Sequence, residues 1–324
     1  MMFGAWGNTD HDDCVRIVHR ALDAGINFID TADVYAAGES EQILAKALTP
    51  AKRDQVVLAT KAHGRMGEDP NQRGNSRRWL VQEVDNSLQR LGTDWIDLYQ
   101  IHRPDPSCDL DETLGALTDL IRQGKIRYAG SSTFPADMIV ESQWVAERRC
   151  RERFVCEQPP YSLLVRGIEA DVLPVCERYG MGVITWSPLA GGWLSGRYRK
   201  GEEMPTSHRA QRLPHRYDMS LAENQRKLDA VEKLSALAED AGLSLVEMAL
   251  AFVIEHPAVT AAITGPRTME HLESQLSALD ITLDASLLDQ IDDVVAPGTT
   301  LNPTDVGWQS PALAAESRRR AGSR

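Results

Sequence analysis

Short apolar, β-rich runs alternate along this chain with stretches whose apolar positions recur every three or four residues. Thr9 and Asp10 can cap a helix whose Val15, Val18 and Leu22 share one face, and Gly25 ends it. Residues 26–30 then read as a strand, and 40–48 as a helix stopped by Pro50. A buried strand over 56–60 ends at Lys61, a helix over 76–91 stops at Gly92, and a strand over 96–102 is broken by Pro104. The unit repeats. Helices over 110–122, 135–149 and 169–179 alternate with strands over 128–131, 154–158 and 181–186. A polar segment over 191–220, rich in Gly, Pro and Arg, precedes helices over 224–241 and 245–256. The last strand spans 259–264, with helices near 268–279 and 285–294 behind it.

Alternation of this kind predicts a parallel sheet covered by helices. An open doubly wound sheet would also alternate, so the placement of polar residues decides. Asp30, Lys61, His102, Ser131, Ser132 and Gln158 all stand at the C-terminal ends of strands. In a barrel those ends converge on one mouth, where barrel enzymes keep their chemistry. The expectation is α/β: one TIM-type (β/α)8 barrel domain over 1–296 with an extra C-terminal helix. The tail over 297–324, ending in an arginine-rich stretch, reads as loosely ordered.

Composition narrows the function classes. The 324 residues are 42% hydrophobic and 25% charged, as in an ordinary globular protein, and the net charge is −12. An acidic surface repels phosphate backbones, which argues against a nucleic-acid partner, although a local cationic pocket can still hold a compact anionic cofactor. Cys14, Cys108, Cys150, Cys156 and Cys176 are scattered, with no CxxC pair, so structural thiols are expected and no metal. No apolar run is long enough to span a bilayer, and the first seven residues lack the regions of a signal peptide. A cytoplasmic protein with no membrane partner is expected.

The polar groups suggest chemistry on their own. A lysine ending a buried strand is costly unless paired, and Asp30 is the natural partner of Lys61. Tyr35 follows Asp30 by five residues, and a cation beside a tyrosine hydroxyl favours its phenolate. Such a tyrosine can serve as a general acid, while His102 orients a substrate oxygen. Each residue has an ordinary alternative: a loop cap, a rim aromatic, a snorkelling lysine, a satisfied core histidine. Their placement on successive strands favours the joint reading.

Residues 25–35, Gly25-Ile26-Asn27-Phe28-Ile29-Asp30-Thr31-Ala32-Asp33-Val34-Tyr35, resemble the aldo-keto reductase signature. Val57-Leu58-Ala59-Thr60-Lys61 and the run from Asp94 to His102 are similar to that family's lysine and histidine strands. The resemblance runs from about Gly4 to Val294, in the style of bacterial reductases and potassium-channel β-subunits. It implies a catalytic tetrad of Asp30, Tyr35, Lys61 and His102, a small-molecule carbonyl substrate, and NADPH as cofactor, with the use of NADH left open. It also implies a first strand shortened here, because the chain begins near that strand's end.

The cofactor positions carry over residue by residue. Ser132 and Thr133 fall in the family's carboxamide turn, with Thr133 where Asn is common, and Gln158 holds the other side of the amide. Trp186 is the aromatic on which the nicotinamide stacks. Ser187, Leu189, Gly191 and Arg197 fall in the pyrophosphate loop, where small residues let backbone N–H groups approach phosphate. Gly265, Arg267, His271 and Gln275 match the adenosine end, with Arg267 suited to a 2′-phosphate. His271, Ser274 and Gln275 replace the usual residues there. Trp6, His63 and Arg103 are expected to line the substrate pocket, and Trp6 with the arginines of 191–220 suits a small polar or phosphorylated aldehyde. Two other readings compete: an NADPH-binding regulatory subunit with little turnover, and a barrel enzyme using a metal or pyridoxal phosphate. No HExxH helix supports the latter.

Overall fold

A computed structural model of the chain describes residues 1–319. Seven strands form one parallel sheet in sequence order: β1 (Phe28–Asp30), β2 (Val57–Ala62), β3 (Ile96–Ile101), β4 (Ile126–Ser132), β5 (Phe154–Gln158), β6 (Gly182–Trp186) and β7 (Ala261–Ile263). Together they make a nearly closed barrel with interleaved helices, the (β/α)8 TIM-type architecture.

Local signals set the helix boundaries. The Asp10 side chain accepts from the Asp13 N–H at the start of His11–Asp23, and Ser76 accepts from the Trp79 N–H at the start of Arg77–Leu91. Gly92, at φ +63°, closes that second helix. Ser244 and Glu247 form a reciprocal capping box on Leu245–Ile254. The final helix, Ala285–Val294, packs on Ala222–Asp240.

Two apolar layers result. The larger fills the space between sheet and helices, with Val84, Leu114, Leu120, Ile126, Val231 and Met248 fully buried. The smaller plugs the barrel: Ala59, Leu98, Cys156 and Ile184, packed with Phe28, Ala261 and Ile263. Side chains on a strand share a face every second residue. Two steps beyond the plug therefore stand Asp30, Lys61, Gln100, Gln158 and Trp186, a polar layer directly above an apolar one.

Two features depart from a regular eightfold barrel, the first in line with the shortened first strand expected and the second against expectation. Between β7 and β1 the described residues carry no full strand. Residues 2–8 instead form a turn closed by a Phe3–Asn8 bridge, with the Asn8 side chain donating to the Arg267 carbonyl and the Ala5 N–H to Glu39. That turn ties the β7 side of the gap to the β1 side. The second difference lies in the tail. Residues 299–307 are packed, not loose: the Arg166 N–H donates to the Thr299 carbonyl, Leu301 N–H to Leu164, and the Asn302 side chain is buried against Asn224. Side-chain pairing across some 78 residues of sequence holds this segment. No local periodicity announces such contacts.

Candidate active site

Asp30 is the hub of the barrel mouth. Lys61 Nζ donates to Asp30 Oδ2 at 2.6 Å and to the Thr31 carbonyl at 2.7 Å. Gln100 and Gln158 both donate to the other oxygen, Oδ1, at 3.2 and 2.9 Å. The Lys61 side chain is completely buried. Burial alone would drive its pKa down, but the Asp30 charge and the nearby Tyr35 oxygen outweigh it, and the pKa is raised. The lysine is a fixed cation.

Tyr35 Oη lies 3.5 Å from that cation. It is presented by a turn just past β1, in which Ala36 and Ala37 adopt left-handed φ values of 50° and 55°. His102 meets the tyrosine ring edge-on at 5.6 Å between centroids, and Trp6 is tilted against it at 6.2 Å. Burial, with help from Arg103 and Lys61, holds the His102 pKa well below its usual range. The imidazole is neutral at physiological pH, able to donate one hydrogen bond to a substrate oxygen. The four residues of the tetrad are thus brought together.

Around them, Trp186 ends β6, and its indole N–H points to Thr133 Oγ1 at 3.4 Å. Thr133 stands at φ +61° and Ser187 at φ +63°, both unusual for residues with a Cβ and more so for a branched one. Such strain persists where the surroundings impose it, and it clusters at ligand sites. Ser132 Oγ is spent on the Gln158 carbonyl. The Gln158 amide nitrogen is spent on Asp30 and Gln100. What Gln158 retains for a ligand is its amide oxygen.

The loop after β6 turns back through Ser187, Leu189 and Gly191, with Ala190 N–H donating to the Ser187 carbonyl and Gly192 N–H to Leu189. A Cβ on Gly191, at φ +72°, would lie 2.7 Å from Tyr217 Oη, so only glycine fits. Arg197 Nε donates to Ser195 Oγ, and Arg209 reaches over Gly191. Gly265 and Arg267 lead into the helix Met269–Leu276, capped by Thr268, whose side chain accepts from the His271 N–H. His271 is held below its usual pKa by burial and by both Arg267 and Arg197, so these two cations converge on it. Gln275 Oε1 is buried with no hydrogen-bond partner.

On the substrate side, Trp6 and Arg103 flank the tetrad, the Arg103 guanidinium lying 5.8 Å from the Trp186 ring centroid. His63 is tied to Asn75, which donates in turn to the Arg103 carbonyl. Sequence reading missed two contributors, Gln100 and the segment near Gly307, and named Arg209 and Arg216 only together with the other arginines of 191–220. Gln100 was findable, two residues before His102 on the same face of β3. The places of the others were not, since they depend on the path of long loops. A Cβ on Gly307 would press to 2.7 Å from Trp186, so this residue caps the indole edge. Among the described residues no cluster of His, Cys, Asp and Glu could hold a metal ion, and no helix is long and apolar enough to cross a membrane.

The aldo/keto reductase family model matches residues 1–296. The uncharacterized oxidoreductase YrpG of Bacillus subtilis is 39% identical over 95% of this chain and 94% of its own length. A probable voltage-gated potassium channel subunit beta of Oryza sativa subsp. japonica is 35% identical over 91% of this chain and 92% of its own. The aldo-keto reductase YhdN of Bacillus subtilis is 33% identical over 94% and 90%. With a family match over nearly the whole barrel and relatives of this similarity, the chain belongs to the aldo/keto reductase family and is an oxidoreductase enzyme.

Proposed function

We propose that this protein is an NADPH-dependent carbonyl reductase in which Tyr35 is the general acid. The observation that carries the reading is the Tyr35 hydroxyl 3.5 Å from a fully buried Lys61 ammonium that Asp30 holds in place. The bound coenzyme supplies a hydride to the carbonyl carbon. Tyr35 Oη gives its proton to the carbonyl oxygen as negative charge develops there, and the adjacent Lys61 cation stabilises the phenolate left behind. Neutral His102 donates to the same oxygen and sets its direction. Asp30 keeps Lys61 charged and aimed, and the amides of Gln100 and Gln158 hold Asp30 in turn.

The residues present fit the coenzyme. Arg197, Arg209 and Arg267 carry no carboxylate partner among the described residues, which suits the pyrophosphate and the 2′-phosphate. Trp186 offers a flat face, and the strained turns at Thr133 and Ser187 bring backbone groups toward the carboxamide.

Tyr35→Phe is expected to lower kcat by ~10²–10⁴-fold with NADPH affinity nearly unchanged, since the acid is lost and the coenzyme site is not. Steady-state NADPH oxidation with an aldehyde panel, paired with a fluorescence titration of NADPH, measures both. Near-full turnover by the variant would overturn the assignment. The potassium-channel subunit relatives support a second reading, an NADPH-binding regulatory subunit. Tight NADPH binding with no turnover of any aldehyde by the wild type would favour it.

A further inference from the structure

The fold treats its deeply set arginines consistently, with one exception. Arg53 pairs with Asp97, Arg90 with Glu41 and Glu83, and Arg166 with Glu169 and Asp292. A guanidinium withdrawn from water without such a partner is costly, so its retention calls for a reason. Arg103, at the mouth, has no ion pair among the described residues; one of its nitrogens donates to the His102 carbonyl and its plane lies over Trp186. The charged groups that act on it are Arg216, another cation, and the buried Glu157 carboxyl, which is bonded to Ser131 and Phe134 and not to the arginine. The carboxylate that compensates Arg216, Asp305, is shared with the buried ammonium of Lys227. Positive charge is therefore in excess on this side of the site, in a chain whose net charge is −12.

A second guanidinium without an ion pair among the described residues lies near the same tyrosine. Arg212 lies 3.5 Å from the centroid of the Trp6 ring, and Trp6 is 6.2 Å from the ring of Tyr35. Both guanidinium planes rest on indoles, which fixes them while leaving their N–H edges open for a bidentate partner. The coenzyme accounts for Arg197, Arg209 and Arg267, which follow its phosphates away from Tyr35. Arg103 and Arg212 remain, Arg103 close enough to feel the Tyr35 charge and Arg212 over the Trp6 ring that neighbours Tyr35.

We propose that the carbonyl substrate is an anion, carrying a carboxylate or phosphate group a few bonds from its aldehyde or ketone, and that Arg103 and Arg212 bind that group. This rests on the carbonyl-reductase reading above. The binding residues would set which carbonyls are used and take no part in the proton or hydride transfer.

The test compares matched neutral and anionic aldehydes with NADPH: butanal against 4-oxobutanoate, benzaldehyde against 4-carboxybenzaldehyde, and glyceraldehyde against glyceraldehyde 3-phosphate. In at least one pair kcat/KM should favour the anion by at least roughly tenfold, carried mostly by KM, and the preference should shrink as salt is raised. The carboxylate and phosphate pairs tell the two anions apart. Arg103→Met should cut that preference by about tenfold and Arg103→Lys by less, because a point charge keeps part of the attraction. Arg212→Met, on an exposed residue, supplies an independent variant should Arg103→Met fold poorly. Equal or better use of the neutral member in every pair overturns the inference and leaves the reductase reading standing, as does a preference untouched by both methionine variants. Turnover of no aldehyde at all overturns both together.

Discussion

Glu157 is wholly buried on β5, behind the turn that carries Thr133, accepting from Ser131 Oγ at 2.5 Å and from the Phe134 N–H at 3.1 Å. Those bonds pin a turn whose own backbone is strained at Thr133. Burial raises the carboxyl from 4.5 to about 7, despite the hydrogen bonds that oppose it. Between those two values the folded state holds a proton that the unfolded state has released, so stability falls as pH rises through this window. The shift corresponds to roughly 3 kcal/mol once both states are ionised, an order of magnitude that deep burial leaves little screened. Glu157→Gln removes the charge and keeps both partners, its oxygen accepting from the Phe134 N–H and its amide donating to Ser131 Oγ. Its melting temperature should exceed that of the wild type at pH 8, with the gap closing by pH 5. An equal difference at both pH values would mean the carboxyl is not the titrating group. Sequence alone could pick out Asp30 and Lys61, because a charge at the end of an apolar run needs a partner. It could not assign Glu157 a role, since that depends on the turn folding back over it.

At the scale of elements, the link from β7 to the helix Met269–Leu276 gathers groups suited to the coenzyme's far end. Arg267 precedes the Thr268 cap, His271 sits in the first turn, and Gln275 follows one turn later. The Arg267 carbonyl is anchored by the Asn8 side chain, so the backbone is positioned independently of its guanidinium. If that guanidinium meets the 2′-phosphate, Arg267→Ala should weaken NADPH at least roughly tenfold and leave NADH nearly untouched. Isothermal titration with each coenzyme measures the two losses, and equal losses would assign Arg267 to the scaffold. Most elements of this barrel were legible because caps and stops such as Asp10, Ser76, Gly92 and Ser244 are local. The β4 start at Ile126, two residues before the strand read at 128–131, was not, because only Lys125 separates Ile126 and Arg127 from the helix-ending Gly124. The turn over 2–8 was equally hidden. Its contacts reach Glu39 and Arg267, far apart in sequence, and no periodicity encodes them.

At the scale of the whole molecule, the segment past the last barrel helix works as a strap across the mouth. The short 3-10 helix Pro303–Val306 places Asp305 against Lys227 Nζ at 3.0 Å and Arg216 Nε at 3.5 Å. Lys227 also donates to the Arg216 carbonyl and lies over the Trp193 ring. One carboxylate thereby joins three separate parts of the chain: the helix Ala222–Asp240, the long loop after β6, and the strap whose Gly307 touches Trp186. Burial lowers the Lys227 pKa and Asp305 opposes that loss, so the ammonium depends on its partner. Asp305→Asn removes the charge and leaves a buried cation uncompensated, a change that typically costs about 3–5 kcal/mol. The variant should therefore melt well below the wild type. Because the strap borders Trp186, its coenzyme affinity should also fall, read by quenching of tryptophan fluorescence. Adding Lys227→Met should recover much of the lost melting temperature, since the unpaired charge is then gone as well. It should not recover the coenzyme affinity, because the strap still lacks its anchor. Full recovery of both by the double variant would show that Asp305 serves only to neutralise Lys227; recovery of neither would place the damage in the lost contact with Arg216. The expected split, stability restored and affinity not, separates the cost of a stranded charge from the work of holding the strap against Trp186.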